Sequence, residues 1–256
     1  MDPLSATPDE SIPGWRVIRV TETGSTNDDL LAAGRAGAPD RTVLVAAHQT
    51  AGKGRLDRRW EAPAGANLLV SLLFRDSRPA HELVWAVALG AAHAARETAG
   101  VTASLKWPND LLVRRDGEER KLAGILAVAG PADGERAIGF VVVGLGLNVG
   151  WAPEGATSLS DEVAARASGD DVPTVDEVTA ALLPAVDRFL VVPPERLHET
   201  YRSRLVTLRR KVRVMLPADE VVEGRSLDVE SDGRLVVLDS CGVTRRFAAG
   251  DVVHVR

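Results

Sequence analysis

From about Leu205 onward the chain changes texture, and that change limits the folds open to it. Upstream, long apolar or alanine-rich segments are separated by polar, glycine-bearing connections. Downstream, Val212, Val214 and Leu216 alternate with Lys211, Arg213 and Met215. Short runs then recur between turns at Ser231-Asp232-Gly233 and Ser240-Cys241-Gly242. Five short strands in about 50 residues point to a small β-barrel. The 256 residues are therefore expected to form a larger unit over 15–204 and a barrel over 205–256, after a disordered lead over 1–14.

Within the larger unit, Trp15–Val20, Thr42–Gln49 and Asn67–Phe74 read as strands, as do Asp110–Val113, Leu122–Ala129 and Ala137–Leu145. Arg114–Arg120 is a charged turn about Gly117 and makes a hairpin of its two neighbours. Thr26-Asn27-Asp28-Asp29 and Thr174-Val175-Asp176-Glu177 both fit capping boxes, each with a hydroxyl at the N-cap and an acid three residues on. A third helix is expected over the alanine-rich Leu83–Thr98. Pro184 should kink or split the helix that follows Thr174.

Composition sets the outer limits. With 45% hydrophobic and 26% charged residues the chain is an ordinary globular sequence. A net charge of −5, with nine basic against eight acidic residues beyond position 204, argues against a nucleic-acid binder. No apolar run approaches the roughly 18 residues of a membrane-spanning helix. MDPLSATPDESIPG has neither the positive nor the apolar region of a secretory signal. The single cysteine, Cys241, leaves no room for an internal disulfide framework or a multi-cysteine metal site. A cytoplasmic compartment is the expectation.

The basic residues are unevenly chosen. Of 31, four are lysine: Lys53, Lys106, Lys121 and Lys211. Where charge alone is needed this chain uses arginine, so a retained lysine marks either a site that needs a compact ammonium or a chance survivor of compositional bias. Three of the four fall in motifs.

Gly52-Lys53-Gly54-Arg55-Leu56-Asp57-Arg58-Arg59-Trp60 combines paired glycines, which let backbone N–H groups approach a ligand, with four cations that can hold a phosphate. It lacks the spacing and GK[ST] ending of a P-loop, and a solvated basic loop is the plainer alternative. Lys106-Trp107-Pro108-Asn109-Asp110 reads equally as a strand end and turn. Lys121-Leu122-Ala123-Gly124-Ile125-Leu126 reads equally as a strand with a charge at its edge, although Gly124 hints at close approach by a ligand or another backbone. Gly144-Leu145-Gly146-Leu147-Asn148-Val149-Gly150 has its third glycine one residue late for a dinucleotide fingerprint and opens no helix. The histidines form no HxxxH or HExxH set, and Ser25, Ser71 and Ser104 sit in no GxSxG elbow.

Taken together and in order, these motifs resemble those of the biotin–protein ligases. The resemblance rests on Gly24-Ser25-Thr26-Asn27, Gln49-Thr50-Ala51-Gly52-Lys53-Gly54-Arg55, KWPND at 106–110, KLAGIL at 121–126 and Gly144-Leu145-Gly146-Leu147-Asn148, and runs from about Trp15 to the C-terminus. Asp57 stands where the family usually has glycine, Lys53 where arginine is common and Ala47 where an acid is frequent. The helix-turn-helix domain of members that repress transcription is not expected, since about 14 residues precede the pattern.

The resemblance implies an α/β (α+β) catalytic domain with a mixed sheet, followed by an SH3-like barrel. It implies ATP-dependent attachment of biotin to a lysine of a biotin carboxyl carrier domain of acyl-CoA carboxylases, by way of biotinyl-5′-AMP. Mg²⁺ would accompany ATP. Ser25, Thr26, Asn27 and Gln49 would line the biotin end, with Lys53, Gly54 and Arg55 closing over it. Lys121 would lie between carboxylate and α-phosphate. Arg55 and Arg58 would meet phosphates, Trp60, Asn109 and Asn148 the adenylate, and Asp110 would orient Lys121 or the incoming amine. The metal ligands stay unassigned. No nucleic acid and no membrane is expected as a partner, and the chain is expected to be a monomer or weak homodimer. Two other readings stay open: a lipoate or octanoate ligase, and a biotin-sensing repressor, which would need a DNA-reading helix pair.

Overall fold

The computed structural model describes residues 11–56, 58–75, 78–131, 139–166, 171–216, 220–248 and 250–255. Of the expected disordered lead, 1–10 lie outside the described residues; Ile12 is buried in the main core and its carbonyl accepts from Trp15 N at 3.1 Å. Asp57 and 132–138 also lie outside them.

The larger unit runs β1 (Arg16–Thr23), α1 (Thr26–Arg35), β2 (Thr42–Gln49), β3 (Leu68–Phe74), α2 (Ala80–Ala99), β4 (Ser104–Lys106), β5 (Asp110–Arg115), β6 (Glu118–Ala129), β7 (Val141–Leu147), α3 (Leu159–Arg166), α4 (Val175–Leu190) and α5 (Pro194–Ser203). Its seven strands form one sheet in the order β1-β2-β3-β7-β6-β5-β4. β1 and β2 are parallel and every other pairing is antiparallel, so the sheet is mixed. β8 (Lys211–Met215), β9 (Val221–Val229), β10 (Leu235–Asp239), β11 (Thr244–Phe247) and β12 (Asp251–His254) form a second, antiparallel sheet.

The sheet is covered on both faces. All seven residues of β3 are buried, as an unbroken apolar run in a central strand requires. Leu68, Val70, Leu72 and Phe74 pack into the main core with α2 and α4. The other face carries a smaller cluster of Ile18, Leu30, Leu44, Leu73, Phe140 and Val142 beneath α1. Where α2 crosses α4, a Cβ on Gly90 would stand 2.7 Å from Val186 Cγ2, so glycine sets that close approach. α2 ends at Gly100 in a left-handed conformation, φ 63°.

Local chemistry accounts for the boundaries. Thr174 caps α4: its hydroxyl accepts from Glu177 N at 3.2 Å, and Glu177 Oε2 accepts from Thr174 N at 2.7 Å. α4 nevertheless runs unbroken through Pro184, so the expected split does not occur. Asp116 and Gly117 both take positive φ, 54° and 80°, the turn that matches the twist of a two-residue hairpin between β5 and β6. The expected capping box at the start of α1 is corrected. Ser25, not Thr26, is the N-cap, and it makes no side-chain cap bond. The Thr26 hydroxyl is engaged elsewhere.

The second sheet docks behind KWPND. Leu105 N donates to Arg204 O at 2.9 Å, Trp107 N to Thr207 Oγ1 at 2.9 Å and Trp107 Nε1 to Gly233 O at 3.0 Å. Val212, Val214 and Val252 belong to the same core cluster as β3 and α2, so apolar packing is continuous between the two sheets.

Candidate active site

A cleft of about 480 Å³ opens on the α1 side of the sheet, beyond the part of that face that α1 covers. The register explains the space. Ser71, Gly144 and Leu126 lie side by side across β3, β7 and β6, and Leu69, Gly146 and Gly124 form the next row. Val142, on the same face two residues before Gly144, is fully buried in the cluster beneath α1. Beyond it this face of β7 carries glycines, and the cleft fits above them.

One end of the cleft is a polar cage. Gln49 Oε1 accepts from Thr26 N at 2.7 Å and from Thr26 Oγ1 at 2.9 Å. Ser71 Oγ, with one proton to give, lies 2.8 Å from Thr26 Oγ1 and 2.7 Å from Asn27 Oδ1. Asn27 Nδ2 donates to Leu126 O at 3.1 Å. A Cβ on Gly144 would fall 2.3 Å from Asn27 Oδ1, so that glycine is what lets the amide into the sheet. Ser25, Thr26 and Asn27 are all buried, at the positive end of α1. The hydroxyl that could have capped the helix is spent on holding Gln49.

The glycine-rich loop folds over the cleft as a small hairpin. Gly54 N donates to Arg58 O at 2.6 Å and Trp60 N to Gly52 O at 3.0 Å. A Cβ on Gly52 would stand 2.3 Å from Trp60 O, so the first duty of the paired glycines is to let the two limbs of the loop close. Lys53 Nζ reaches Asp28 of α1 at 2.6 Å. Arg55 Nη1 donates to Asn109 Oδ1 and to Gly250 O, both at 3.2 Å, and Arg58 pairs with Asp251. Burial pulls the Arg55 guanidinium below its usual pKa, and Asp251 and Asp110 pull back against it. The Trp60 indole lies flush on Gly146, where a Cβ would meet its Cε2 at 2.3 Å, and close to Gly124. Trp60 Nε1 is a buried donor without a hydrogen-bond partner.

Lys121 lines the same cleft, its Nζ 2.7 Å from Asp110 Oδ1 and 5.5 Å from the Trp60 ring centroid. Its side chain is 37% exposed against 17% for Asp110, so the ammonium borders the open cleft. Asn109, at the turn of KWPND, donates to Ile125 O at 2.9 Å. Asn148 is 1% exposed, with Nδ2 given to Thr157 O at 3.0 Å and Oδ1 accepting from Asn67 at 3.2 Å.

All thirteen site residues expected from the sequence line this one cleft: Ser25, Thr26, Asn27, Gln49, Lys53, Gly54, Arg55, Arg58, Trp60, Asn109, Asp110, Lys121 and Asn148. Asn148 borders it with its amide already committed. Sequence reasoning missed Ser71, a buried hydroxyl in an apolar strand that backs Thr26 and Asn27, and Asp251, which joins the cleft lining from the second sheet. Gly124, singled out as a point of close approach, is one. The described lining holds neither cysteine nor histidine, and no cluster of three or more metal-ligating side chains occurs among the described residues. Cationic groups facing a polar cage, with no base-activated nucleophile, suit reactions in which two bound ligands react with each other under charge neutralisation.

Comparison with known proteins agrees with this geometry. Residues 16–148 match the model of the biotin/lipoate A/B protein ligase family, and residues 207–255 that of the biotin protein ligase C terminal domain. A biotin--[acetyl-CoA-carboxylase] ligase of Mycobacterium tuberculosis is 40% identical over 95% of this chain and 91% of its own length. The bifunctional ligase/repressor BirA of Bacillus subtilis is 28% identical over 83% of this chain and 66% of its own. A biotin protein ligase of Aquifex aeolicus, solved in complex with biotin and ATP, superposes with a TM-score of 0.75 at 23% identity, covering 94% of this chain and 98% of that one. With both of its units matched in order and a relative this similar along nearly its whole length, the chain belongs to the biotin/lipoate A/B protein ligase family.

Proposed function

We propose that this chain attaches biotin to a lysine of a biotin carboxyl carrier domain in two steps. A biotin carboxylate oxygen attacks the α-phosphorus of ATP and the bond to pyrophosphate breaks, which gives biotinyl-5′-AMP. The carrier ε-amine then attacks the acyl carbon of that mixed anhydride, forms the amide and expels AMP. The observation that carries this reading is the convergence of Lys121, the Thr26–Asn27–Gln49 cage and the loop arginines on one cleft whose described lining holds neither histidine nor cysteine.

The residue roles in this reading are those that the family resemblance implies. Ser25, Thr26, Asn27 and Gln49 hold the biotin end, and Lys53, Gly54 and Arg55 close over it. Lys121 neutralises charge as the carboxylate and α-phosphate meet, and Asp110 fixes its Nζ. Arg55 and Arg58 meet phosphate oxygens, and Trp60, Asn109 and Asn148 border the adenylate. Among the described residues no group of three or more metal-ligating side chains occurs, and Asp110 and Asp251 are already paired with Lys121 and Arg58. Mg²⁺ therefore enters as Mg·ATP, held by phosphates and water.

We place the catalytic unit at 15–204 and the carboxy-terminal unit at 205–256, and read the protein as cytoplasmic and as a monomer or weak homodimer that binds no nucleic acid. The described helices include none long and apolar enough to cross a membrane. The test is ATP-dependent labelling of a purified carrier domain with biotin and lipoate compared side by side. Labelling by biotin alone is expected; labelling by lipoate alone would move the chain to the other branch of its family.

A further inference from the structure

The cleft is not built by the larger unit alone. β12 of the second sheet touches both of its jaws. At one end Asp251 pairs with Arg58 of the loop, and its neighbour Gly250 offers a carbonyl to Arg55 at 3.2 Å. At the other end His254 Nδ1 lies 3.0 Å from Glu119 Oε2, and Arg210 holds the second Glu119 oxygen at 2.6 Å. Glu119 stands on β6 two residues before Lys121. A four-residue strand thus links the loop that covers the cleft to the strand that carries its central ammonium.

The geometry at position 250 is specific to that task. Gly250 has φ 149°, and a Cβ there would come within 2.9 Å of Val214 Cγ1, so the bend that aims its carbonyl and the next carboxylate at the loop needs glycine. Asp251 is 23% exposed, lines the cleft and is the foremost charge acting on Arg55 as well as the partner of Arg58. Without it the loop would hold Lys53, Arg55, Arg58 and Arg59 together with fewer anchors, and like charges held close repel.

We infer that Asp251 is a positioning residue that latches the basic loop over the cleft before nucleotide binds, its carboxylate holding one edge of the Arg58 guanidinium so that the remaining N–H groups stay aimed at phosphate oxygens. The inference rests on the ligase reading for what the loop then holds. It does not rest on it for the latch itself. Asp251 touches no reacting atom; it acts through Arg58 and Arg55.

The experiment uses the full-length protein with Asp251→Asn, Asp251→Glu and Arg58→Gln. Thermolysin cleavage before the exposed Leu56 is followed without ligands, a readout that needs neither biotin nor ATP. Asp251→Asn is expected to speed cleavage and to raise the KM for ATP about five- to tenfold, the loss of one charge-assisted contact. Melting temperature and single-turnover transfer from saturating biotinyl-5′-AMP should stay at wild-type values, and the biotin KM should rise less than the ATP KM. Asp251→Glu should restore most of the ATP KM. Arg58→Gln should speed cleavage as Asp251→Asn does, and the double variant should add nothing further. Unchanged cleavage in Asp251→Asn would overturn the latch. So would a variant that loses melting temperature and both half-reactions together, since that marks a general packing role. Failure of the wild type to label carrier would strike the ligase reading and leave the cleavage result standing.

Discussion

Lys121 offers the sharpest test of the site. Its Nζ lies 2.7 Å from Asp110, 5.5 Å from the Trp60 ring centroid and 3.1 Å from the point where a Cβ on Gly124 would sit. Removing the ammonium breaks an ion pair that is partly open to water, so Lys121→Ala should cost stability of at most about 1 kcal/mol. The kinetic cost is set by a different state. Losing one preorganised donor from a transition state that gathers negative charge slows the reaction by roughly 10²–10³, or about 3–4 kcal/mol. The two effects differ enough to be told apart in one variant. Lys121→Arg keeps the charge, but a planar guanidinium needs room on the side where Trp60 and Asp110 already crowd the ammonium. Both variants should therefore be slow in pyrophosphate release, with a smaller defect in single-turnover transfer from supplied biotinyl-5′-AMP. Wild-type adenylation by Lys121→Arg would show that charge alone suffices, and would remove the reason for reading the retained lysines as functional markers.

Three further outcomes are expected. Gly146→Ala pushes a Cβ into the Trp60 indole, so it should lower the melting temperature and raise the KM for ATP; Trp60→Ala in the same chain should return the melting temperature. Thr174→Ala removes the α4 cap far from the cleft and should lower the melting temperature by about 2–4 °C with labelling unchanged. Stability should fall with acid through the Glu119–His254 pair. Burial holds His254 below its usual 6.5 although Glu119 pulls upward, so the unfolded chain takes up that proton first and stability declines as pH drops below about 6.5. Burial pushes the Glu119 carboxyl up, but His254 and Arg210 together leave it below its usual 4.5, so its contribution is present above that value and is lost as pH falls further. Thermal melts from about pH 4 to 8 should show a shallower acid slope than the wild type for His254→Gln, and a steeper decline below about 6.5 for Glu119→Gln, which removes the group that pulls His254 upward; equal slopes would refute the linkage.

What the sequence made legible was local. The apolar runs of β2 and β3 admit only buried strands, the Asp-Gly turn permits a two-residue hairpin, and Thr174 with Glu177 satisfies two orphan N–H groups without outside help. α5, with Leu197 and Tyr201 as its only buried residues, carries too faint a periodic signal to be read, and β4 is three residues long. The start of α1 was misplaced by one residue for an instructive reason. Thr26 has the chemistry of a cap, but its hydroxyl is drawn to Gln49, 23 residues on, and to Ser71 in the next strand of the sheet. A local rule failed where the residue had a distant task.

The same distinction separates the site residues that were found from those that were missed. Those found sit in motifs that, taken together and in order, resemble the family's, and some are odd for their local role: a lysine kept among arginines, glycines where a strand would be stronger with side chains. Ser71 and Asp251 carry no such mark. One hydroxyl in NLLVSLLF is tolerated by any strand, and an aspartate after glycine in a nearly neutral tail suits any turn. Their meaning comes from partners that only the fold brings near: Asn27, 44 residues before Ser71, and Arg58, 193 residues before Asp251. The loop arginines announce that something anionic must face them. The sequence places that anion in a ligand, whereas the folded chain supplies one of its own from β12, so the carboxy-terminal sheet is part of the cleft and not an appendage to it.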